Sequence, residues 1–525
     1  MSNVKVLDCT LRDGGYINDW KFGCKNIKDI INNLERANID IVEVGFIRNV
    51  ESDKESSQFT SVEEIKEYIT PKKPGILYAV MIEYHNHVEN QIAAYDGTSV
   101  DLIRITFRRN EWEGTQKVVR KLMKKGYKVC VQPVGTALYD DYSILDLLKD
   151  VNEIKPYAFY LVDTLGTMYR YDMRKFFYLI DNNLSQDICL GFHSHNNLQM
   201  SFSNAQEMIQ LNHQRTIIVD SSCYGMGRGV GNLATELFID YINNNIEQRY
   251  SLVPVLKIVD KYLMPIYAEQ RWGYDLPYFL SATVKCHPNY ATYLMKKETL
   301  SIEKIEKLLS LIPLAKRSEY SADLIESLYL LMQNCDVDDK DAYSKLTEMV
   351  ANKDVVILGS GASIIKYEDR IKKVASGKMI ISANFIPNIY NADALFISNE
   401  KRLDTLDLAS VGFVIATSNL KDGIENALFF NYSSLLGEGE ASDNAGAMLI
   451  RILKNVGTKK IYLAGFDGYD VDSSANYSVA IFKKPIDYNT IKKKNDDISK
   501  QLKLALNGID YDCLLYTSPS PRDRG

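Results

Sequence analysis

Three stretches of the chain combine ionisable side chains with backbone that can present them to a ligand. The first, DCTLRDGG at residues 8–15, places Arg12 and Asp13 directly after a short apolar run. An arginine and a carboxylate on a loop held by a rigid strand suit the binding of a substrate or a metal. Taken alone, the pair would favour an ordinary exposed ion pair on a strand-to-helix loop. The two later stretches change that balance.

The second stretch, GFHSHNN at residues 191–197, carries two histidines two positions apart. Residues i and i+2 of an extended strand point the same way, so His193 and His195 can share a metal. With Asp13 they would form a two-histidine, one-carboxylate face that suits Mn²⁺, Mg²⁺, Co²⁺ or Zn²⁺. The alternative is a polar loop facing solvent. The HNH run at residues 85–87 has the same spacing and is predicted to lie on the surface, so spacing alone is weak evidence.

The third stretch, GMGRGVGN at residues 225–232, is rich in glycine. Such a loop lets backbone amides approach a ligand closely and can hold an anion, which makes Gly227 and Gly229 candidate substrate-binding residues. It matches neither a Walker A loop nor a dinucleotide fingerprint, and the alternative is a flexible hinge. Asn232, at its end, could supply a further oxygen ligand to a metal.

The composition of the chain limits the kinds of protein that it can be. The chain has 525 residues, enough for about two to four domains, and its 46% hydrophobic content allows a substantial core. The formal net charge of −6 predicts neither a nucleic-acid nor a membrane partner. The 8 cysteines have no paired spacing, which indicates reduced thiols in a cytoplasmic protein. We predict no signal peptide and no membrane span.

The elements that must position these residues are eight apolar runs alternating with charged, helical segments. This alternation predicts an α/β fold, a (β/α)8 TIM barrel, with a doubly wound open sheet as the competing topology. The eight runs cover residues 4–7, 41–46, 75–81, 100–106, 128–134, 158–163, 188–193 and 216–220. In a barrel the candidate residues would converge, because all of them follow the carboxyl ends of strands. Thr164 follows the sixth run in the same way.

Glu43 lies inside the second apolar run, where a buried carboxylate needs a partner. We expect it to hold Arg12. The middle of the fourth run carries a further charged residue, Arg104.

The rest of the chain divides into further domains. After a barrel over residues 1–240 we predict a helical subdomain over residues 241–345, which covers the barrel mouth and contains His287. Residues 350–512 then predict a Rossmann-like α/β domain. Its first strand leads into the run GSGAS at residues 359–363, a start that suits a phosphate or a sugar nucleotide.

Residues 513–525 do not fit this pattern. They resemble the in-frame translation of a transposase-type sequencing adapter, which predicts a natural chain that ends near Asp512. The alternative is a disordered tail rich in serine and proline.

The LRDG, HSH and glycine-loop motifs, in this order, resemble the signature set of the DRE-TIM metallolyases over about residues 1–300. The TLRDG start and the absence of a CoA-lyase cysteine signature look most like the 4-hydroxy-2-oxovalerate aldolase branch. By resemblance, the metal is held by the side chains of Asp13, His193 and His195, with Asn232 as a further ligand. Arg12 would stabilise an enolate oxygen, and Glu43 would hold Arg12.

The reaction implied by the resemblance is cleavage or formation of a C–C bond of a small 2-oxo acid through a pyruvate enolate. Mn²⁺ is the metal expected first. The aldolase branch has a histidine where this chain has Tyr16, so the base could be Tyr16, His287 or a water on the metal. Thr164 and His287 are expected to contact substrate. The alternatives are a Claisen-type acyl-CoA synthase or lyase and a non-catalytic scaffold or sugar-binding protein.

The C-terminal domain resembles a Rossmann-like domain of surface-polysaccharide proteins akin to bacterial sialyltransferases. That resemblance implies a sugar nucleotide as its partner. We also expect a homodimer.

Overall fold

The computed structural model describes residues 3–211, 214–403, 405–438, 442–470 and 488–514. The chain forms two compact units. The first comprises Met1–Thr292 with Ile312–Tyr320, and the second comprises Tyr293–Leu311 with Ser321–Gly525.

The first unit contains a closed barrel of eight parallel strands, as the alternation of apolar runs and helices predicts. Its sheet order is β1-β9-β8-β7-β6-β5-β4-β2-β3, and a further pairing of β1 with β2 closes the barrel. That closure excludes the open, doubly wound alternative. The strands are β1 (Val4–Asp8), β2 (Ile41–Ile47), β3 (Gln58–Phe59), β4 (Leu77–Glu83), β5 (Leu102–Phe107), β6 (Lys128–Pro133), β7 (Ala158–Asp163), β8 (Cys189–Ser194) and β9 (Ile217–Ser221).

Amphipathic helices cover the outside of the barrel. Cys24–Arg36, for example, buries Ile27, Ile30, Ile31 and Leu34, a spacing that forms one apolar stripe. The α-helices of the barrel region are Thr10–Asp13, Gly15–Asn18, Cys24–Arg36, Val62–Ile69, Trp112–Lys124, Asp141–Ile154, Arg170–Asn183, Ser201–Gln210 and Thr235–Asn245. Those that follow it are Leu252–Ile258, Met264–Glu269, Leu276–Thr283 and Asn289–Lys297, with a π-turn at Val259–Leu263.

A bulge in β2 shapes the barrel mouth. The register of β2 against β4 shifts between Glu43 and Phe46, and Gly45 between them has φ +150°. An added Cβ at Gly45 would overlap the backbone carbonyl of Ser57, which accepts a 3.1 Å hydrogen bond from the Phe46 amide. Bulges redirect nearby side chains. The glycine therefore lets the chain before β3 approach β2, which pairs with β3 at Phe46 and Ile47.

The second unit contains a seven-stranded sheet in which every pairing is parallel. Its order is β14-β13-β12-β11-β10-β15-β16, so the sequence order reverses beside β10. Its strands are β10 (Asp354–Leu358), β11 (Met379–Ala383), β12 (Ala394–Ile397), β13 (Phe413–Thr417), β14 (Ala427–Phe430), β15 (Lys460–Ala464) and β16 (Asp510–Cys513). Its α-helices are Ile302–Ser310, Ala322–Gln333, Lys340–Val350, Ser363–Lys366, Glu368–Ala375, Glu400–Leu403, Ala445–Asn455 and Tyr488–Leu506.

Two residues of the predicted C-terminal tail belong to this sheet. Cys513 ends β16, and the amide of the buried Leu514 donates to the Leu463 carbonyl at 2.9 Å. The rest of the tail, residues 515–525, lies outside the described residues. The predicted domain boundaries at residues 240 and 345 stay predictions.

Within the described ranges, no helix combines the length and the apolar character needed to cross a lipid bilayer. Seven of the eight cysteines carry free thiols: Cys9, Cys24, Cys130, Cys189, Cys223, Cys286 and Cys335.

Candidate active site

The DCTLRDGG stretch forms a tight helical turn at the carboxyl end of β1. The backbone carbonyl of Cys9 accepts a 2.8 Å hydrogen bond from the Asp13 amide, and Asp8 Oδ1 accepts one of 3.0 Å from the Thr10 amide. Asp8 also binds the hydroxyl of Thr235 at 2.7 Å, which joins the start of the barrel to its last helix. This turn places Arg12 and Asp13 at the barrel mouth.

Arg12 is held by Glu43, as the sequence predicts. Arg12 Nε donates to Glu43 Oε2 at 2.8 Å, and both side chains are buried. The same carboxylate oxygen lies 2.7 Å from Arg104 Nη1. Arg104 is fully buried in the barrel interior, where its guanidinium lies 4.8 Å from the centre of the Tyr160 ring.

Asp220 links Arg104 to the histidine stretch. Its Oδ2 pairs with Arg104 Nη2 and lies 2.9 Å from His193 Nδ1. His193 Nε2 in turn lies 3.5 Å from Asp13 Oδ2, and Asp13 Oδ1 lies 3.3 Å from Arg12 Nη1. The chain of contacts therefore closes on itself, and we call it the ion-pair ring. Its members are Arg12, Asp13, Glu43, Arg104, His193 and Asp220.

The ring sets the charge of its members. Burial alone would raise the pKa of Asp13, but Arg12 and the contact with His193 hold it well below its usual range. Burial likewise opposes the charged form of His193, and its contacts with Asp13 and Asp220 raise its pKa. Outside the ring, burial lowers the pKa of His195, so this imidazole is neutral at physiological pH. Asp13 is therefore an anion beside two imidazoles.

The side-chain contacts orient the imidazole of His193. Its Nδ1 faces the Asp220 carboxylate and its Nε2 faces Asp13, so Asp220 would keep the proton on Nδ1 whenever Nε2 binds a cation. A carboxylate behind a histidine is the usual support of a metal-binding imidazole. The His195 ring stands edge-on to His193, with the ring centres 5.2 Å apart.

The donor atoms present fit a divalent cation. One ligand atom each from Cys9, Asp13 and His193 lie within 4.8 Å of one another, and all three residues are buried. Asn232 Nδ2 donates to Asp13 Oδ2 at 2.7 Å. The Oδ1 atom of Asn232 is buried without a hydrogen-bond partner among the described residues. Such an oxygen is expected where a bound cation would be its partner. The structure thus brings Asn232 and His193 to Asp13, whereas the compact donor group of Cys9, Asp13 and His193 does not include the predicted ligand His195.

A narrow pocket opens beside this cluster. Its lining includes Thr164, His195, Arg228, Tyr278 and His287, so two of the predicted substrate-binding residues share it with a candidate metal ligand. The other lining residues are Leu165, Asn197 and Pro288.

His287 is engaged at both ring nitrogens. Nε2 lies 2.7 Å from Arg228 Nη2, and Nδ1 accepts from the Asn289 amide at 3.2 Å. Burial, with Arg228 nearby, lowers the pKa of His287 to about 4. This histidine is therefore neutral at physiological pH, and only one of its two ring nitrogens can accept a hydrogen bond at a time.

Packing explains two glycines of the third stretch. An added Cβ at Gly227 would overlap the Asn232 amide. At Gly229, where φ is +68°, it would overlap the Tyr278 ring. These glycines let Asn232 and Tyr278 close on the site, and their predicted contact with substrate stays a prediction.

Tyr16 lies in an aromatic cluster at the barrel mouth. Its ring meets Trp20 edge-on, with centres 4.7 Å apart, and 36% of the residue is exposed. Partial burial, with the carboxylates of Glu83 and Asp13 nearby, raises the pKa of Tyr16. The phenol therefore holds its proton at neutral pH.

Sequence reasoning missed four residues of the site. Cys9 lies within the DCTLRDGG motif and Arg228 within the glycine loop, and neither pattern indicates a role for them. Arg104 and Asp220 lie on buried strands. The signal that identified Glu43, a charged residue inside an apolar run, applies equally to both of them.

The switch point of the second sheet is occupied by its own chain. Ser363, which begins a short helix after the GSGAS run, donates its amide to Asp467 Oδ2 at 2.8 Å. The amide at the start of this short helix is thus paired with a side chain of the same sheet region. The predicted sugar nucleotide therefore stays a prediction.

The first unit thus belongs to the class of (β/α)8 barrels that gather ionisable residues at the carboxyl ends of their strands, where barrel enzymes have their active sites. Residues 3–250 match the model of the HMGL-like family. The family match and the named relatives confirm the resemblance of this part of the chain to the DRE-TIM metallolyases.

Individual relatives are distant. The chain is 27% identical over 238 residues to an oxaloacetate decarboxylase from Mycobacterium tuberculosis, which covers 45% of this chain and 68% of the relative. It is 22% identical over 268 residues to a 4-hydroxy-2-oxovalerate aldolase from Pseudoalteromonas translucida, which covers 50% and 76%. Among solved structures, the N-terminal domain of a protein assigned as an aldolase, from Bacteroides vulgatus, aligns with a TM-score of 0.49 and 24% identity. It covers 58% of this chain and 99% of that domain.

Proposed function

We propose that the barrel is a metal-dependent carbon–carbon lyase that acts on a small 2-oxo acid through a pyruvate enolate. The observation that carries the proposal is the ion-pair ring. It holds a fixed arginine next to a buried set of carboxylate and imidazole donors, and a narrow pocket lined by His195 and Arg228 lies nearby. The names of the relatives, which act on oxaloacetate and on a 4-hydroxy-2-oxo acid, supply the substrate class.

Each residue has a role in this proposal. Asp13, His193 and His195 would hold the cation, with Asn232 Oδ1 as a further ligand. When bound, a divalent cation supplies Lewis acidity at the keto and carboxylate oxygens of the substrate. Arg12, fixed by Glu43, places a positive charge where the enolate oxygen develops negative charge. That charge is in place before the reaction begins.

Arg228 is the cation that lines the pocket. Its Nη2 lies 2.7 Å from His287 Nε2, and this contact fixes the guanidinium at the pocket wall. We propose that it pairs with a carboxylate of the substrate. His287 would then act by orienting Arg228.

The proton transfer distinguishes two candidate reactions. Cleavage of a 4-hydroxy-2-oxo acid breaks the C3–C4 bond, releases an aldehyde and requires a base for the 4-hydroxyl proton. Decarboxylation of a 3-carboxy-2-oxo acid breaks the corresponding bond, releases CO₂ and needs only an acid that protonates C3 of the enolate. Because the pKa of Tyr16 is raised, its phenol is protonated at neutral pH and can act as an acid but not as a base. This observation supports decarboxylation as a second candidate reaction beside aldol cleavage.

The test is release of pyruvate from a panel of 2-oxo acids by protein loaded in turn with Mn²⁺, Mg²⁺, Co²⁺ and Zn²⁺. We expect turnover of 4-hydroxy-2-oxo acids or of oxaloacetate, and no turnover after chelation. An H193A/H195A double variant should lose both the metal and the activity. The matched control is H85A/H87A, which removes two exposed histidines of the same spacing.

Other outcomes separate the alternatives. Turnover of acetyl-CoA with a 2-oxo acid, and none of the panel, would support the Claisen-type synthase. A protein that binds metal and turns over neither would support the non-catalytic scaffold. If H193A/H195A keeps its metal content, the proposed metal site is wrong.

Replacement of Tyr16 separates the two lyase reactions. Tyr16→His supplies a base, so we expect it to raise aldol cleavage relative to decarboxylation. Tyr16→Phe removes the acid and should slow pyruvate release in both reactions, by roughly 10²-fold or more, the usual contribution of a general acid. Wild-type rates in Tyr16→Phe would exclude Tyr16 from the proton transfer.

A further inference from the structure

Cys9 is buried in the barrel interior at the base of the candidate metal cluster, with 0% of its surface exposed. Its sulfur lies within 4.8 Å of a ligand atom of both Asp13 and His193. Metal–sulfur bonds of about 2.3 Å and metal–nitrogen or metal–oxygen bonds of about 2.0–2.2 Å put two donors on one ion up to about 4.5 Å apart. Donors on one tetrahedral ion lie about 3.5 Å apart, so the three side chains would have to move closer together to bind the same ion.

The backbone fixes Cys9 in this position. The Asp13 amide donates to the Cys9 carbonyl, the i to i+4 relation that places two side chains on one face of a helical turn. The Cys9 amide donates to the carbonyl of Ser221 at 2.8 Å, next to the Asp220 that orients His193. Cys9, Asp13 and His193 are thus positioned by the same junction of β1 with β9.

A packing role is the competing interpretation. Cys9 belongs to an apolar cluster in the barrel interior that also contains Leu7, Cys130 and Tyr160. Cys130 is an equally buried thiol in that cluster. Cys9 differs from it because it faces a buried carboxylate and an imidazole, beside an Asn232 oxygen that lacks a partner among the described residues.

Resting on the metal site of the proposed function, we infer that Cys9 is a thiolate ligand of that metal and biases the site towards Zn²⁺, Co²⁺ or Fe²⁺ over Mn²⁺ and Mg²⁺. Soft thiolate ligands favour the first group, whereas carboxylates and water suit the second. As the sulfur–metal bond forms, the thiol proton passes to solvent. With a thiolate ligand, Zn²⁺, Co²⁺ or Fe²⁺ is expected at the site in place of Mn²⁺.

Cobalt reports the ligand directly, without reference to activity. We expect the Co²⁺-loaded protein to show a sulfur-to-cobalt charge-transfer band in the near ultraviolet. Cys9→Ser should still bind Co²⁺ through Asp13 and His193 but lose this band. Cys130→Ser, the matched control, should keep it. Competition between Zn²⁺ and Mn²⁺ should show the preference for Zn²⁺ falling about 10–100-fold in Cys9→Ser, the scale of a change near a metal centre.

Specific results would overturn the inference. Co²⁺ bound to the wild type without the band, or a band that persists in Cys9→Ser, would show that the sulfur is not a ligand while leaving the metal site intact. Wild-type protein that binds no Co²⁺, or H193A/H195A that binds it normally, would overturn the metal site itself. If Cys9→Ser does not fold, X-ray absorption of the Zn²⁺-loaded wild type decides the matter, because a sulfur neighbour at about 2.3 Å must be present.

Discussion

Arg12 uses its guanidinium at two places at once. Its Nε binds Glu43 at 2.8 Å, and its Nη1 faces Asp13 at 3.3 Å. These contacts require the planar, forked geometry of arginine, which a lysine ammonium cannot reproduce. The residue therefore connects the carboxylate that would bind metal with the carboxylate buried in β2.

We expect Arg12→Lys to lower turnover by roughly a hundredfold or more, the scale of removing one donor to a developing oxyanion. The metal content should stay unchanged, because Lys keeps a positive charge beside Asp13. Steady-state kinetics and metal analysis of the same preparation test this. Arg120→Lys, on the exposed face of a barrel helix, is the control. Wild-type turnover in Arg12→Lys would contradict the role proposed for Arg12.

The pairing of Arg12 with Glu43 could be predicted from sequence, because a carboxylate inside an apolar run must find a partner. The complete ion-pair ring could not be predicted from the sequence. Its closure depends on β5, β2 and β9 directing Arg104, Glu43 and Asp220 to one point inside the barrel. Neighbouring residues in the sequence carry no information about which buried charges will meet across a closed sheet.

At the scale of elements, buried strands were predictable because each is a continuous apolar run. Three strands are not evident from the sequence in this way. β3 has two residues, β14 lies at the edge of its sheet, and β16 has the sequence DYDC without an apolar run. Each of these forms because a neighbouring strand offers it backbone partners. A pattern of side chains alone does not reveal them.

Arg104 ties three strands of the barrel together, since it lies on β5 and contacts Glu43 of β2 and Asp220 of β9. Arg104→Met would remove one ion-pair partner from each of two buried carboxylates, Glu43 and Asp220. We expect it to lower the free energy of unfolding by about 3–5 kcal/mol, as for other broken buried ion pairs. It should also weaken metal binding, because Asp220 orients His193.

Urea denaturation and metal titration measure both effects. The matched control is Arg215→Met, which removes another buried arginine, paired with Asp181 away from the ring. The control should lower stability and leave metal affinity unchanged. If the two variants behave alike towards metal, Arg104 does not position the site.

At the scale of the whole molecule, every residue of the candidate site lies in the first compact unit. The second unit has its own apolar core, built on a separate sheet. Domains with separate cores can fold independently.

A protein truncated after Lys345 keeps the whole first unit and a part of the second. We expect it to fold, bind metal and keep its lyase activity. Circular dichroism, metal analysis and pyruvate release of the truncated and full-length proteins test this. An insoluble or metal-free product would show that the second unit takes part in the fold of the barrel. A folded, metal-bound but inactive product would place part of the catalytic machinery beyond residue 345.

The junction of the first and last barrel strands bears on how the protein is made. Asp13 reaches Asn232 and Asp8 reaches Thr235, contacts that span more than two hundred residues. During synthesis the ribosome releases residue 13 long before residue 235, and domains fold as units once their chain has emerged. A nascent chain therefore has no complete metal site until the ninth strand and the helix after it have left the exit tunnel. The order of biosynthesis itself delays capture of the metal until the barrel can close around it.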